Sequence, residues 1–532
     1  MLQLLLGGSG SGKTTLLYQR IRARAEKGEK SILLVPEQFT SSTEGRIYRE
    51  LGDALSGMVE SFSFTSLAEK ILSTEGGAAV QTLSDAGRAV LVRRALEELQ
   101  DNVHYYHRHR RSAAFCQMAA QTIDELKSAG LSGRQLAQLA GACGAESGKL
   151  SELALIFQGY ETLLARSGMD PSDRLELAGA RLEEALARHS LPEFLRDRAV
   201  FIDEFDTFNA PKKRLLGAML AALPSVTVAL CDDGAPLLPG DLSLFSGAKQ
   251  VAAQLRQLAR KNGAEVAVPQ LLRKDLRHRN APGLAAVAEL LETGSCTADA
   301  PAGEVRLFAA PSREEEARAA AGAIRRLMRQ GVRCGKIAVV CRDIAKYRAA
   351  VRYEFRMAEI PLYCDEPTTP EFSAPATAVR ALLEIARGAD LTENLTTLAK
   401  TGLCALSEEQ VCALENYAYT WAPTAAAWRE KFERSPKGFG EQELTEEDLR
   451  NRERAEHARA LLVGAVDAFR AKVRGVNAEA ISRAVYFCLK TLGAEEQQAA
   501  QVKAIRAGRG IPAAEEAARE WNVVMGLLNE MA

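Results

Sequence analysis

Gly7, Gly12, Lys13 and Thr14 fall at the spacing G-x-x-x-x-G-K-[ST], with Gly8, Ser9, Gly10 and Ser11 between them and Thr15 after. These residue types suit one chemistry. A polyphosphate is wrapped by converging backbone N–H groups, so the loop needs residues that accept a positive φ and carry little bulk. The glycines meet both needs. The Lys13 ammonium offers a point charge to the β- and γ-phosphates, and the Thr14 hydroxyl offers a hard oxygen to Mg²⁺. A helix starting near Lys13 adds the positive end of its dipole. Gly7 through Thr15 are therefore the expected binding residues for a nucleotide, taken as ATP, with Mg²⁺ on Thr14. A plain Gly/Ser turn is the alternative, and it needs neither a flanking strand nor a flanking helix.

Both flanks are present. Leu2–Leu6 (LQLLL) reads as a short buried strand, and the residues after Gly12 suit a helix. Lys30–Pro36 (KSILLVP) reads as a second strand, Glu37–Glu44 as a polar strand-to-helix junction, and Ser61–Glu69 as a third strand end with a capped helix after it. Residues 1–75 thus form β-α-β-α units of a parallel sheet. Helical periodicity then takes over at Ser84–Gln100, Phe115–Ser128, Lys149–Leu164 and Arg174–Arg188, a helical insertion. Strand signals return at Arg198–Ile202 and Val226–Cys231. Past a linker at Thr293–Gly303, a second α/β stretch is expected: strands at Val305–Ala309, Lys336–Cys341 and Pro361–Tyr363, helices at Arg313–Arg329 and Ile344–Ala358. From Ala374 on the chain reads as helical, with a break at Ser435–Glu443.

Phe201–Phe205 (FIDEF) is an apolar strand ending in two carboxylates. Alone, such a pair is a common solvated turn. Downstream of a phosphate loop it is the expected complement: Asp203 holds Mg²⁺ beside Thr14, and Glu204 orients or deprotonates an attacking water.

Composition sets the bounds. At 532 residues the chain exceeds one core. A net charge of −1 makes any nucleic-acid surface a local patch rather than a global field. No apolar run reaches the roughly 18 residues that span a bilayer, so no membrane association is expected. Ten cysteines lie scattered with no C-x-x-C among them, which argues against zinc or iron–sulfur ligation. Cys231 and Cys341 sit in apolar runs and read as buried reduced thiols, which points to the cytoplasm.

A family resemblance rests on several stretches. GGSGSGKTTLL, Val35–Tyr48 (VPEQFTSSTEGRIY), Phe201–Leu216 (FIDEFDTFNAPKKRLL) and Ile337–Pro367 resemble motifs I, Ia, II and IV of UvrD/Rep-type superfamily 1 helicases. Within them the chain is most similar to the N-terminal part of the AddB/RexB family, and Phe115–Leu136, Lys149–Leu175 and Leu398–Pro423 share that style. The resemblance implies an α/β fold of two RecA-like parallel-sheet domains with large helical insertions: 1A at 1–80 and 191–300, 1B at 81–190, the first part of 2A at 301–395, and a 2B-like region at 396–532. It implies a DNA double-strand-break repair protein that binds single-stranded DNA or duplex ends and forms a heterodimer with an AddA-type helicase–nuclease. Arg342 stands where motif IV puts a γ-phosphate arginine, although an arginine after a strand is equally a surface residue. Exonuclease activity and the family's 4Fe–4S cluster are expected only in a further C-terminal domain. Two departures matter: no adenine-reading glutamine motif precedes Gly7, and no motif III glutamine follows Val226–Asp233.

Further DNA contacts are expected at His104–Arg111 (HYYHRHRR), which joins aromatics to cations, and more weakly at Leu272–Asn280 (LRKDLRHRN); solvated loops are the alternative for both. Phe39 and Phe64 follow strands where such helicases touch bases, with core packing as the competing reading. Two other functions stay open. A P-loop ATPase or kinase acting on a small molecule would need neither the long insert nor a second sheet, and a non-hydrolysing scaffold would bind nucleotide without turnover.

Overall fold

The computed structural model describes residues 1–77, 82–144, 147–295, 304–364, 370–440 and 443–531. Its two compact units are Met1–Phe308 and Ala309–Ala532.

The first unit is built on a parallel sheet of six strands: β1 (Leu2–Gly7), β2 (Ser31–Leu34), β3 (Val59–Phe62), β4 (Ala199–Ile202), β5 (Ser225–Cys231) and β6 (Gln270–Leu272), in the order β3-β2-β4-β5-β1-β6. The strands read as unbroken apolar runs because both faces are covered. Leu2, Leu4 and Leu6 point into one core, shared with the helices Phe64–Glu75, Pro171–Ala187, Ala210–Ala222 and Ser246–Lys261. Leu5 points the other way, onto Leu17 and Ile21 of the helix Lys13–Ala25. Gly7 pairs with Cys231 at the end of β5, and Ile202 pairs with both Leu34 and Val228. One strand, β5, thus separates the end of β1 from the end of β4, and all three carboxyl ends open on the same edge.

The helical insertion stands between β3 and β4 as expected. Ser63 opens the helix Phe64–Glu75 by a reciprocal cap with Ser66. Helices Asp85–Glu98, Ala113–Ser128 and Ser147–Ser167 close on their own core of Val92, Leu96, Ile123, Ile156, Phe157 and Tyr160. The last helix, Pro171–Ala187, instead buries Leu175, Ala178 and Leu182 in the sheet's core.

The second unit is helical. Arg313–Arg329 packs on Ile344–Met357 around Ile324, Val351 and Phe355. A larger core surrounds the fully buried Trp428, whose Nε1 donates to Thr392 Oγ1 at 2.8 Å. The α/β class, the parallel sheet and the helical insertions agree with expectation. The strands expected at Val305–Ala309, Lys336–Cys341 and Pro361–Tyr363 do not form: every strand among the described residues belongs to the one sheet. A strand exists only where a second segment offers its N–H and C=O groups, and an apolar run says nothing about that partner. Leu307 and Val340 are accordingly exposed. Most of the expected linker, residues 296–303, lies outside the described residues. No helix among them is long and apolar enough to cross a membrane.

Candidate nucleotide site

The loop after β1 turns on two glycines in the left-handed region, Gly10 at φ 78° and Gly12 at φ 89°. The Ser11 N–H donates to Gly8 O at 3.3 Å, and the helix Lys13–Ala25 begins directly behind Gly12. Lys13 folds over its own loop: Nζ donates to Gly7 O at 2.7 Å, to Gly8 O at 2.8 Å and to Cys231 Sγ at 3.4 Å. From the end of β4, Asp203 is brought to the same cleft as Thr14, whose hydroxyl favours its charged form. The next residue, Glu204, is exposed and holds a positive φ of 66°, with its N–H on Asp203 Oδ1 at 3.1 Å. For a residue with a Cβ this conformation is strained, the kind of cost that collects at functional positions.

These groups line a cleft of about 710 Å³ with Gly10, Gly12 and Thr15 of the loop. Its acids are held in tension. Burial pushes the Asp203 carboxyl above its ordinary range, against the pull of the Thr14 hydroxyl and the Arg46 and Lys13 charges. Burial and then the neighbouring Asp203 push Glu204 up as well. Both shifts mark carboxylates short of positive charge.

Two cleft residues escape the sequence reading as nucleotide contacts. Arg277 comes from Leu272–Asn280, the stretch expected to meet DNA. There the Asp275 carboxylate accepts the N–H groups of Arg277 and His278, each at 3.0 Å, and ties the segment into a turn. Leu276 N–H then donates to Gly10 O at 3.0 Å, and Arg277 Nη1 approaches Ser9 Oγ at 3.2 Å. This turn straps the glycine loop. Arg46 also lines the cleft, with its guanidinium 4.9 Å from the Tyr18 ring centroid. It is the one cation in VPEQFTSSTEGRIY, a signal the sequence did hold. Phe39, expected at a DNA base or in the core, is exposed and lines the same cleft.

Phe64 is buried and packs edge-on against Phe205 and Phe208, so it is a core residue. Arg342 is exposed, just before the helix Ile344–Met357 of the second unit. Cys231 is exposed rather than buried, because β5 ends with it at the cleft, and Cys341 is half-buried.

The residues present fit a triphosphate with Mg²⁺. The Ser11 hydroxyl is buried inside the loop with no hydrogen-bond partner, the mark of a donor left for an absent oxygen. Thr14 and Asp203 offer two hard oxygens on one side, the partial ligand set from which Mg²⁺ takes protein contacts while keeping phosphate and water.

The fold and this edge place the chain in the class of α/β proteins with a parallel sheet and a glycine-rich loop joining its first strand to a helix. Within that class it belongs to the AddB family: the family described as ADDB, N-terminal, matches residues 4–288. Similar curated proteins are named as one subunit of an ATP-dependent helicase/deoxyribonuclease. That of Desulforudis audaxviator is 32% identical over 80% of this chain and 37% of its own length. Those of Moorella thermoacetica and Heliobacterium modesticaldum are each 29% identical over 100% of this chain, covering 47% and 45% of their own lengths. The chain spans less than half of these relatives.

Proposed function

We propose that this chain is the ATP-binding, helicase-like portion of a DNA double-strand-break repair helicase–nuclease, which binds DNA and assembles with an AddA-type motor partner in the cytoplasm. One observation carries the reading: Thr14 and Asp203, which follow two different strands, line one cleft with Lys13 and Glu204. On this reading residues 1–80 and 191–300 serve as domain 1A, 81–190 as 1B, 301–395 as the start of 2A, and 396–532 as a 2B-like region. The relatives' name and the family match support it. No exonuclease chemistry is assigned to these residues.

Each side chain has a role. Lys13 leaves the Gly7 and Gly8 carbonyls for the β/γ-phosphates. Mg²⁺, when bound on Thr14 and Asp203, neutralises phosphate charge. Glu204 orients or deprotonates the attacking water, since its raised pKa moves it toward the range of a working base. Arg277, strapped over the loop, offers a cation to the γ-phosphate alongside Arg342, to which the resemblance gives that role. A second reading, binding without turnover, is favoured by the lack of a motif III glutamine after Val226–Asp233.

The test measures retention of fluorescent ATP with Mg²⁺ and release of phosphate, with and without single-stranded DNA and the motor partner. Retention lost in Lys13→Ala supports the nucleotide site. DNA-stimulated release supports the helicase-like reading, and retention without release supports the scaffold. No retention at millimolar ATP overturns both.

A further inference from the structure

We infer that the loop His104–Arg111, at the end of the helix Asp85–Glu98 in the helical insertion, is a preformed contact for single-stranded DNA, separate from the nucleotide cleft. The inference rests on the proposal that the chain binds DNA, and it names where.

The first observation is unpaired charge. His104, His107, Arg108, His109 and Arg111 are exposed, and Arg110 is half-exposed. On the helix just before it, arginines meet carboxylates: Arg88 holds Asp85 and Asp124, Arg93 holds Glu97, and Arg94 holds Glu98. None of Arg108, Arg110 and Arg111 has an ion-pair partner among the described residues. The sequence has no acid from residue 102 to 123, so the run is not balanced along the chain either.

The second observation is how the loop is held. The Glu152 carboxylate reaches it from the helix Ser147–Ser167 yet ignores the guanidinium groups. It accepts the backbone N–H groups of His104 at 2.8 Å, Tyr105 at 2.7 Å and Tyr106 at 3.1 Å. The acid that touches the loop is spent on its backbone, which fixes the shape and leaves the cations free. Beneath, Val103 is buried, and the Tyr106 ring sits 5.1 Å from that of the buried Phe115. His109 leans on Phe115 at 5.9 Å.

The third is Tyr105. The residue is 60% exposed, its ring braced edge-on by Tyr106 at 5.0 Å. A rigid, exposed aromatic among unpaired cations suits a strand whose bases are free to stack while its phosphates meet arginine. A duplex keeps its bases stacked inside and gains only from the cations, so the tyrosine selects the single strand.

The experiment measures anisotropy of a labelled oligothymidylate and of a duplex of equal length, at several salt concentrations, with the full chain. Arg108→Ala/Arg111→Ala removes two phosphate contacts. The slope of log K against log salt is expected to flatten by about 1.4, with affinity down about 25-fold near 0.1 M salt. Tyr105→Ala is expected to weaken single-strand binding by about 5- to 150-fold at unchanged slope, and to leave duplex binding alone. Both substitutions are at exposed side chains, and melting and ATP retention report intact folding. DNA binding by the parent with neither variant altered overturns this inference and leaves the proposed function standing. No DNA binding by the parent overturns both. Equal loss on duplex and single strand in Tyr105→Ala overturns the single-strand assignment.

Discussion

Lys13→Ala separates nucleotide binding from fold stability, and the structure gives both magnitudes. The ammonium makes two short bonds to Gly7 O and Gly8 O, and truncation breaks them. Neither carbonyl is orphaned: Gly7 O still accepts the Asp232 N–H at 3.3 Å, and Gly8 O still accepts the Ser11 N–H at 3.3 Å. The partly buried ammonium also gave up hydration to make those bonds, which lowers their net worth. The cost of truncation is roughly 1 kcal/mol, about 2 °C or less in melting temperature for a unit of this size. Binding behaves differently. A hydrogen bond between charged partners contributes about 1.5–3 kcal/mol, so the loss of Lys13 from the phosphates weakens Mg²⁺–ATP by about 10- to 150-fold. The assay pairs titration of fluorescent ATP with a thermal melt of the same sample. Unchanged affinity refutes the assignment of Lys13. A fall in melting temperature large enough to explain the weaker binding refutes the claim that the loop stands without it.

Further outcomes are expected. Arg277→Ala weakens ATP more than ADP by about 10-fold while moving stability by less than about 0.5 kcal/mol, since the side chain is exposed; equal loss for both nucleotides places Arg277 away from the γ-phosphate. Gly10→Ala puts a Cβ 2.6 Å from that of Arg277 at a φ of 78°, and about 1–3 kcal/mol of strain should lower the melting temperature and loosen the strap; an unchanged melt shows the strap is not seated on the loop. Cys404 and Cys488, both pushed by burial to about 12 from an ordinary 9.0, resist iodoacetamide at pH 8, whereas Cys231 reacts and ATP protects it, as read by peptide mass spectrometry. Because these two thiols are raised, the stability they contribute is complete below about pH 9 and drains as pH climbs toward 12, with a falling alkaline melt as the readout.

How much of this is legible depends on the distance over which each signal acts. The glycine loop is fully legible, since its spacing, its φ requirements and its flanking elements all lie within a few residues of Gly7. The Asp203–Glu204 pair is legible as a complement, because an apolar strand ending in acids is also local. That Asp203 meets Thr14 follows from β5 lying between β1 and β4, which only the sheet order reveals. The strap is not legible: LRKDLRHRN looks like a cationic run until Asp275 closes its turn and Leu276 bonds to Gly10, far away in sequence.

The same argument explains the missing strands and the missed β6. Ile337–Cys341 (IAVVC) is more strand-like than Gln270–Leu272 (QLL), yet the shorter segment is the strand. Gln270–Leu272 runs alongside β1, where Leu5, Leu6 and Gly7 offer a free backbone edge, while no described segment offers one to Ile337–Cys341. Propensity sets how well a segment tolerates a ladder; the neighbour decides whether there is one. The strand that sequence undervalues is also the one that delivers Arg273–Asn280 to the loop, so the error over β6 and the error over Arg277 are a single error. Weakening β6 should therefore act at the cleft: Leu271→Asp, at a half-buried position paired with Leu6, is expected to weaken ATP retention to about the level of Arg277→Ala. If retention survives while β6 loses amide-exchange protection, the strap is held by the loop alone and the sheet edge has no part in the site.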